Sequence, residues 1–570
     1  MRRAKLAALR SSARPRPLRA RYDAIVVGGG HNGLVAAAYL ARGGRTALVL
    51  ERRGVLGGAA VTEELVPGFR FSRASYVYSL FRPQIVRDLD LHRHGLTLLP
   101  RAPSSYTPAP QAGGRSLLLG GGAEADAREI AKFSARDAEA YPRYNALLER
   151  YAAALVPMLD APPPDPALLA MLPGAAGGPS LAQWLDNARD AVAAAARLAG
   201  LGTELPGFFE FLAAPASKIL DRWFESEQVK ATLATDAIVG ALVAPSTPGS
   251  AYVLLHHVMC GTWANVRGGM GALSASVAAA AREAGAEIVA DAPVRRVVLG
   301  AGGAVEGVEL EDGALVRAER VLSSAPPATT FVHLLGGARE AARVLPAGFL
   351  RQIETLNVQS GSVKINLAIS RLPSFLCAPN GDAGAPLPHH RGTIHFETDT
   401  GQIEEAFRDA LGGAPSRRPV IEMTLPSALD DSIAPPGKHV CLLFVQYAPY
   451  SAYDGKGWDA PGARERFAAA VYAVIEQYAP GFTASIIGGE VLTPLDLERV
   501  FGLPGGNICH GSMSLDQMFF NRPAPGFARY RSPLKGYYLC GAGAHPGGGV
   551  MGAAGANAAR VVLGDMAAQR

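Results

Sequence analysis

The segment from Tyr22 to Glu51 constrains the fold of this chain more than any other. Ala24–Val27 is a short apolar run rich in β-branched residues, which is typical of a buried strand in a parallel sheet. The run leads directly into three glycines with G-x-G-x-x-G spacing, Gly28, Gly30 and Gly33. Glycine permits a tight turn and lets backbone N–H groups approach a pyrophosphate at the positive end of a helix. The segment therefore predicts a nucleotide-binding turn.

The residues after this turn complete a βαβ unit. Small and apolar side chains predict a helix from Asn32 to Arg42, and Gly43-Gly44 ends it. A second apolar strand, Thr46–Leu50, places Glu51 at its tip, 18 residues after Gly33. In dinucleotide-binding domains an acid at this position accepts hydrogen bonds from ribose hydroxyls. The strand before the turn, the helix after it and this acid together predict a dinucleotide site.

Two further glycine-rich segments favour FAD over NAD. A Gly57-Gly58 doublet follows the ribose-binding acid, as in FAD enzymes of the glutathione-reductase and amine-oxidase types, where the chain runs back past the pyrophosphate toward the flavin. Near the other end of the chain, a predicted strand at Gly536–Cys540 precedes a glycine-rich turn at 541–552 and a helix of small residues from about Ala553 to Met566. A strand, a glycine turn and a helix N-terminus form an anion site. We therefore expect the last segment to return to the first domain and to contact the same cofactor.

Several motifs identify a family. The run L-C-G-A-G-A-H-P-G-G-G-V-M-G-A at 539–553 resembles the C-terminal signature of phytoene-desaturase-like FAD oxidoreductases, as does the G-G-M-G of Arg267–Leu273 before a helix. Val294–Val297 and Val321–Ala325 are similar to later cofactor-domain strands of that family. The resemblance covers nearly all of the chain after the first twenty residues, and it implies an FAD-dependent oxidoreductase of mitochondria. The expected cofactor-binding residues are Val27, Gly28, Gly30, His31, Asn32, Gly33, Glu51, Arg52, Gly57, Gly58, Ala59, Ala60, Gly268, Gly269, Met270, Val294, Gly541, Ala542, Gly543, Val550, Met551 and Gly552.

The expected fold class is α/β, with a Rossmann-like FAD-binding domain of the glutathione-reductase/amine-oxidase type and an interleaved α+β substrate domain. The expected bounds are 22–90, 260–327 and 505–570 for the discontinuous FAD-binding domain, and 91–259 and 328–504 for the substrate domain. The interleaving is what the resemblance implies, since the sequence by itself shows only scattered cofactor segments. The first insertion is rich in Ala and Leu and is predicted to be mostly helical, whereas the second contains predicted strands such as Gly361–Ile369.

Lys364 is the candidate catalytic side chain. The segment Gly361–Ile369 alternates. One face of the predicted strand carries the apolar residues Val363, Ile365, Leu367 and Ile369, and the other face carries Lys364 and Asn366. This segment is similar to the amine-oxidase strand whose lysine holds a water at the flavin. The alternative is a solvent-facing lysine on a half-buried sheet, which the alternation explains equally well.

The charge of the chain is concentrated at its beginning. Residues 1–21 contain eight basic residues, two serines and no acid, which is the pattern of a mitochondrial transit peptide. Taking those eight from the 55 basic residues leaves 47 against 50 acidic ones, so the body is nearly neutral and favours no nucleic-acid partner. No apolar run of 18 or more residues predicts a spanning helix. We expect a matrix protein with a small-molecule substrate, and a peripheral contact with the mitochondrial inner membrane stays open.

Cysteine and histidine spacing predicts neither a redox pair nor a metal site. The five cysteines, Cys260, Cys377, Cys441, Cys509 and Cys540, include no C-x-x-C or C-x4-C pair. Dispersed cysteines indicate structural thiols in a reducing compartment. His256-His257 and His389-His390 are adjacent pairs that cannot easily bind one ion together, so we interpret them as ordinary histidines.

The resulting functional hypothesis is an FAD-dependent oxidoreductase that removes a hydride from an apolar or amphipathic small molecule and passes electrons to oxygen or a quinone. One alternative is an FAD amine oxidase, although such enzymes usually have Arg after the Gly-Gly doublet, where this chain has Ala59. The other is a non-catalytic FAD-containing binding or regulatory protein of mitochondria, because Rab GDP-dissociation inhibitors resemble this architecture and act as carriers, and keeping a cofactor does not prove turnover.

Overall fold

The computed structural model describes residues 18–175, 178–259, 262–382, 384–452 and 457–568. Its strands are β1 Arg21–Tyr22, β2 Ala24–Val27, β3 Ala47–Leu50, β4 Thr62–Val66, β5 Phe69–Ser72, β6 Leu98–Pro100, β7 Ser105–Thr107, β8 Leu117–Leu119, β9 Ala264–Val266, β10 Glu287–Val289, β11 Val294–Leu299, β12 Val305–Leu310, β13 Leu315–Ala318, β14 Val321–Ser323, β15 Ser362–Ile369, β16 Thr393–His395, β17 Val420–Thr424, β18 His439–Gln446, β19 Ile486–Leu492 and β20 Tyr537–Leu539. Its α-helices are His31–Arg42, Pro83–Asp88, Ala123–Ala131, Ala135–Leu159, Pro166–Ala170, Leu181–Ala199, Leu205–Ala213, Ala216–Trp223, Glu227–Ala234, Ser250–Val258, Met270–Glu283, Pro327–Phe331, Ala338–Val344, Ala347–Glu354, Thr400–Leu411, Ala463–Tyr478, Phe482–Ser485, Pro494–Phe501 and Ala553–Ala567.

A five-stranded parallel sheet forms the centre of the first domain. Its strand order is β10-β3-β2-β14-β20, and every neighbouring pair in it runs parallel. All residues of β2, β3 and β14 are buried, as expected for a parallel sheet that is covered on both faces. The predicted βαβ unit is therefore confirmed, and the predicted C-terminal strand joins the same sheet as β20 beside β14.

Small residues let the helices of this domain pack closely. The helix His31–Arg42 contacts both Met270–Glu283 and Ala553–Ala567. A Cβ on Gly555 would lie 2.0 Å from the carbonyl oxygen of Asn32, so this helix pair can approach so closely only because a glycine stands at the contact. The last helix of the chain is thereby fixed against the first helix of the βαβ unit.

A seven-stranded sheet forms the second domain, in the order β19-β15-β18-β17-β16-β7-β8. One face of β15 packs in a core shared with the helix Ala463–Tyr478, and that face carries the predicted apolar set that begins at Val363 and Ile365. All residues of β15 are buried, so its second face is covered as well. The first insertion contributes a separate helical core around Ala135–Leu159, as predicted, but it also adds β7 and β8 to this sheet.

The end of the predicted leader overlaps the fold. Residues 1–17 lie outside the described residues. Leu18 packs against the core of the first domain, the Arg19 side chain donates to Glu287 at 2.6 Å, and β1 pairs with β13. The expected boundary at residue 22 is therefore a few residues late, because basic side chains near it have acidic partners in the body. Targeting itself stays a prediction.

Two expected domain boundaries also differ from the observed packing. Leu91 and Leu96 belong to the core of the first domain, and so do Phe331 and Phe349. The segments at 91–100 and 328–354 therefore pack with the parallel sheet and not with the substrate domain. Glycine spacing marks where a cofactor motif ends, but it does not show which core the following apolar residues join.

Candidate active site

A cavity of about 1090 Å³ connects the two domains. At one end it is lined by residues at the carboxyl ends of the parallel strands, including Val27, Glu51 and Ser324. At the other end it is lined by residues of the seven-stranded sheet, including Lys364 and Glu422. Ligands of doubly wound sheets bind at the carboxyl ends of the strands, so the first end has the expected position of a nucleotide site.

The glycine turn leaves open space at the start of the helix His31–Arg42. The nearest heavy atom to a Cβ built on Gly30 is the Gly58 Cα, 3.9 Å away. Because Gly30 occupies the N-cap and has no side chain, the first-turn N–H groups stay available to an anion at the positive end of the helix dipole. The buried His31 Nε2 and Asn32 Oδ1 have no hydrogen-bond partner within the described part of the chain. The open space and the available N–H groups fit the pyrophosphate of a dinucleotide.

The Glu51 carboxylate accepts hydrogen bonds within this turn and also lines the cavity. Its Oε2 accepts a hydrogen bond from the Gly29 N–H at 2.7 Å, and its Oε1 accepts one from the Arg53 N–H at 2.9 Å. A carboxylate oxygen can accept more than one hydrogen bond, so both oxygens retain capacity for a ribose hydroxyl. Glu51 therefore holds the shape of the turn and also lines the cavity.

The predicted residues divide into a lining set and a packing set. The lining set is Val27, Gly28, Gly30, His31, Asn32, Glu51, Arg52, Gly58, Ala59, Val294, Ala542, Val550 and Lys364. The packing set, beside the cavity, is Gly33, Gly57, Ala60, Gly268, Gly269, Met270, Gly541, Gly543, Met551 and Gly552. A Cβ on Gly269 would lie 2.4 Å from Thr62 Oγ1, and one on Gly541 would lie 2.2 Å from the Ser324 carbonyl oxygen. These glycines therefore permit close backbone packing around the cavity.

Four side chains form one row across the seven-stranded sheet. The register pairs Lys364 with Phe444, Phe444 with Glu422, and Glu422 with His395. Directly paired residues on neighbouring strands point to the same face of a sheet. All four side chains line the cavity, so this cross-strand row forms its wall opposite the glycine turn.

Lys364 is buried, with 1% of its surface exposed, so the solvent-facing interpretation is wrong. Its Nζ donates to Asn366 Oδ1 at 2.6 Å and lies 5.5 Å from the ring centroid of Tyr76. Burial lowers the pKa of Lys364 to about 7, although the nearby Glu490 carboxylate opposes the change. A lysine with this pKa exchanges a proton readily at neutral pH.

Tyr76 lies over the row and contacts three of its members. Its ring stacks on that of Phe444, with the centroids 5.9 Å apart, and its hydroxyl donates to Glu422 Oε2 at 2.5 Å. Burial raises the pKa of Glu422 to about 8. The hydrogen bond from Tyr76 favours the ionised form and opposes this change. The wall thus holds a carboxyl group that changes protonation state near neutral pH.

Arg101 and His395 stand at the far end of the row. Arg101 is 4% exposed, and its Nη2 donates to Thr393 Oγ1 at 2.6 Å. Burial lowers the pKa of Arg101 to about 10 and that of His395 to about 3, and the Arg101 charge acts on His395 in the same direction. Arg101 Nη1 and His395 Nδ1 are buried atoms without a hydrogen-bond partner in the residues that the structure describes. His395 lines the cavity, and an unpartnered buried atom there indicates a polar ligand or an ordered water.

Sequence reasoning identified Lys364 but missed five residues at this end, Tyr76, Arg101, His395, Glu422 and Phe444. A signal existed for two of them: Glu422 and His395 each stand alone between two apolar neighbours, which places them on the face opposite the core. The pairing of β16 with β17 brings them together, and strand pairing cannot be read from one sequence.

Cys441, Cys509 and the pair His389-His390 are buried, whereas the His257 side chain lies outside the described residues. Burial raises the pKa of the Cys441 thiol to about 12 and that of Cys509 to about 11, whereas Cys260 lies outside the described residues. Burial also lowers the pKa of His389 and His390 to about 4. Within the described ranges, no group of three or more His, Cys, Asp and Glu side chains could hold a metal ion.

None of the described helices has both the length and the hydropathy to span a bilayer.

Comparison with known proteins relates the chain to FAD-dependent oxidoreductases. The NAD(P)-binding Rossmann-like domain family matches residues 26–90. Pyridine nucleotide-disulfide oxidoreductase domain-containing protein 2 of Rattus norvegicus is 50% identical over 564 residues, which are 96% of this chain and 94% of the rat protein. A limonene dehydrogenase polypeptide of Castellaniella defragrans is 28% identical over 566 residues, 95% of each chain.

The solved structures confirm the expected fold class. The chain is similar to a putrescine oxidase triple mutant with a TM-score of 0.57 and 14% identity, over 96% of this chain and 99% of the oxidase. At such an identity the likeness concerns the fold, a mixed α/β architecture with a Rossmann-like domain. The identity and near-complete coverage of the rat relative show that the chain belongs to the pyridine nucleotide-disulfide oxidoreductase domain-containing protein 2 family.

Proposed function

We propose that this protein is a mitochondrial flavoenzyme that uses FAD to remove a hydride from an apolar or amphipathic small molecule, and that its electrons pass to oxygen or a quinone. The continuity of the cavity carries the proposal: Gly30 at the helix N-terminus and Lys364 on the seven-stranded sheet line the same space. A dinucleotide in the glycine turn and a substrate on the sheet would therefore share one cavity, which is the arrangement that redox cofactors require.

The residues of the first domain fit FAD. The helix that begins at His31 would hold the pyrophosphate, and Glu51 would accept hydrogen bonds from the ribose. Gly58 and Ala59 continue the wall from the turn toward the second domain. When bound, the flavin supplies the two-electron redox chemistry, and the protein binds it, orients the substrate and excludes water.

Apolar side chains on the substrate side of the cavity support an apolar or amphipathic substrate. Leu119, Leu233, Val239 and Phe444 line this part, with a few polar groups between them. Cavities of this kind bind small molecules through apolar contacts and use convergent polar groups for orientation. The name of the related limonene dehydrogenase refers to a hydrocarbon, which agrees with this substrate class.

Purified protein tests the cofactor and the substrate class together. We expect a flavin absorbance spectrum, release of FAD on denaturation, and anaerobic bleaching by members of a panel of terpenes, long-chain alcohols and primary amines. Bleaching by amines alone would favour the amine oxidase, and bound FAD with no bleaching would favour the non-catalytic binding protein. Wild-type protein that stays colourless after refolding with FAD would contradict the proposal.

The open question of membrane contact has a specific surface to test. The helix Leu181–Ala199 exposes Leu181, Leu185 and Val192 at 61%, 54% and 70%, and their spacing places them on one face. An amphipathic helix of this kind binds a lipid interface through its apolar face. We propose that it contacts the inner membrane. Sedimentation with cardiolipin-containing vesicles should fall markedly for the double substitution Leu185→Gln and Val192→Gln, and equal sedimentation would argue against this contact.

A further inference from the structure

The charged groups at the substrate end of the cavity nearly balance one another. Glu422 and Asp236 bring two carboxyl groups to the wall, and Lys364 lines it as an amine. The buried Arg101 guanidinium lies near enough to Glu422 and Tyr76 to act on their charges. A ligand with a full charge would meet a group of like charge here without bulk water to screen it. The wall therefore suits a neutral head group that can both donate and accept hydrogen bonds.

A hydrogen bond to one oxygen fixes the orientation of the Glu422 carboxyl group. Its Oε2 is occupied by the Tyr76 hydroxyl at 2.5 Å, and the residue lines the cavity at 8% exposure. The stacking of Tyr76 on Phe444 fixes the tyrosine, so the hydrogen bond holds the carboxyl group in one orientation. A carboxyl group held in this way in a poorly solvated cavity is a candidate proton acceptor.

We propose that the substrate is an alcohol whose hydroxyl binds at Glu422, and that Glu422 takes the hydroxyl proton while the carbinol carbon is oxidised to a carbonyl. This inference rests on the proposed function for the redox step. The O–H and carbinol C–H bonds break and a C=O bond forms. The proton goes to the Glu422 carboxylate, and the C–H hydrogen leaves as a hydride with both electrons, for which the flavin of the proposed function is the acceptor. Tyr76 is a positioning residue.

The charged surroundings of Glu422 determine the direction of its pH dependence. The titratable or charged groups that face it are Tyr76, Arg101, Asp236, Lys364, His395 and Glu397. The pKa of Glu422 is raised, so the carboxylate that accepts the proton forms only as the pH rises through about 8. Alcohol oxidation should therefore increase with pH across this range and level off above it.

The first experiment measures head-group preference without turnover. Calorimetric titrations of FAD-loaded protein near neutral pH would use 1-octanol, octanoate and octylamine, which share one chain length. We expect octanol to bind about tenfold more tightly than either ion, since each ion brings a charge to a balanced wall. Tighter binding of octanoate or of octylamine overturns the inference.

Matched variants assign this preference to the row. Glu422→Leu should bring the three affinities to within about threefold, whereas Glu422→Gln, which retains hydrogen bonding, should preserve the preference for octanol. Glu149→Gln is the control, because Glu149 also lines the cavity but is exposed and lies on the helix Ala135–Leu159. If Glu422→Leu does not fold, the glutamine variant and Tyr76→Phe carry the test. Loss of the preference in the control alone would place the head group elsewhere and overturn the assignment.

The second experiment follows the proton. Tyr76→Phe removes a hydrogen bond that favours the ionised carboxylate, so the inflection in alcohol-dependent flavin bleaching should move to higher pH, and Glu422→Gln should abolish it. A purely structural role of Tyr76 would leave the inflection in place and contradict its positioning role.

If octanol binds preferentially but nothing bleaches the flavin, the head-group site stands and the proposed function fails. If amines or hydrocarbons bleach it without a preference for octanol, the proposed function stands and this inference fails.

Discussion

At the scale of single residues, the cavity depends both on a glycine that leaves space and on polar side chains that line its wall. Gly30 has free space where a side chain would stand, and Lys364 brings an amine into a wall of mostly buried groups. Each of the two residues gives a test of one end of the cavity.

Replacing Gly30 by Val should abolish FAD binding, because the added methyl groups would occupy the space proposed for the pyrophosphate. The surrounding protein has room for a Cβ at this position, so folding should survive. Gly302→Val is the control, since Gly302 lies in an exposed turn with no heavy atom within 4 Å of its Cβ position. The measurement is the ratio of flavin to protein absorbance after purification, and full occupancy in Gly30→Val would contradict the assignment of the turn.

Replacing Lys364 by Met should slow oxidation of the photoreduced enzyme by oxygen about tenfold, a loss of about 1.4 kcal/mol, if its charge stabilises developing superoxide near the flavin. The pKa of Lys364 is lowered to about 7, so the amine is charged below this pH and neutral above it. The difference between wild type and variant should therefore grow as the pH falls through 7. Stopped-flow mixing with oxygen measures it, and equal rates at low pH would favour an acceptor such as a quinone.

The sequence predicted the residues of one end of the cavity much better than those of the other. The glycine turn and Glu51 could be predicted because their spacing along the chain encodes their geometry. The Tyr76–Glu422 pair could not, because its members lie far apart in the sequence and meet only through the packing of a loop onto a strand. The burial of Lys364 was missed for the same reason: alternation identifies a second face but not what covers it.

At the scale of elements, the contact between the helices His31–Arg42 and Ala553–Ala567 requires a glycine. The predicted C-terminal helix is confirmed as Ala553–Ala567, and its position on His31–Arg42 depends on Gly555. The pattern of small residues predicted close packing, but not its partner. Likewise, β7 and β8 were missed because short strands inside a helical region leave little periodicity to detect.

Two glycines of this helix should respond to alanine in opposite ways. Gly555→Ala would place a Cβ 2.0 Å from the Asn32 carbonyl oxygen, so we expect a loss of about 1–3 kcal/mol in the free energy of unfolding and weaker FAD retention. Gly564→Ala meets no atom within 4 Å and should add about 0.5–1 kcal/mol through helix propensity. Thermal unfolding of both variants decides this, and equal melting temperatures would mean that the helices separate without cost.

At the scale of the whole molecule, the basic leader stands apart from a nearly neutral body. We expect residues 1–21 fused to a fluorescent reporter to direct it to mitochondria, because basic residues without acids form import signals. Exchanging the basic residues of the fusion for glutamine should leave the reporter in the cytosol. A cytosolic reporter carrying the original leader, or an intact N-terminus on protein recovered from mitochondria, would contradict the prediction.

The position of β20 beside β14 has a consequence for biosynthesis. The parallel sheet has strands from both ends of the chain, and the loop before the last helix supplies Ala542 and Val550 to the cavity wall. Residues 537–567 therefore have to be synthesised before the nucleotide site can close, and we expect a fragment that lacks them to retain no FAD. A chain that ends before β20 leaves β14 as an open sheet edge and uncovers the small-residue face of His31–Arg42. We expect such a shortened chain to aggregate and to be degraded by proteases more readily. Acquisition of the proposed FAD would thus mark chains that contain this segment, and quality-control proteases could distinguish them from shorter products.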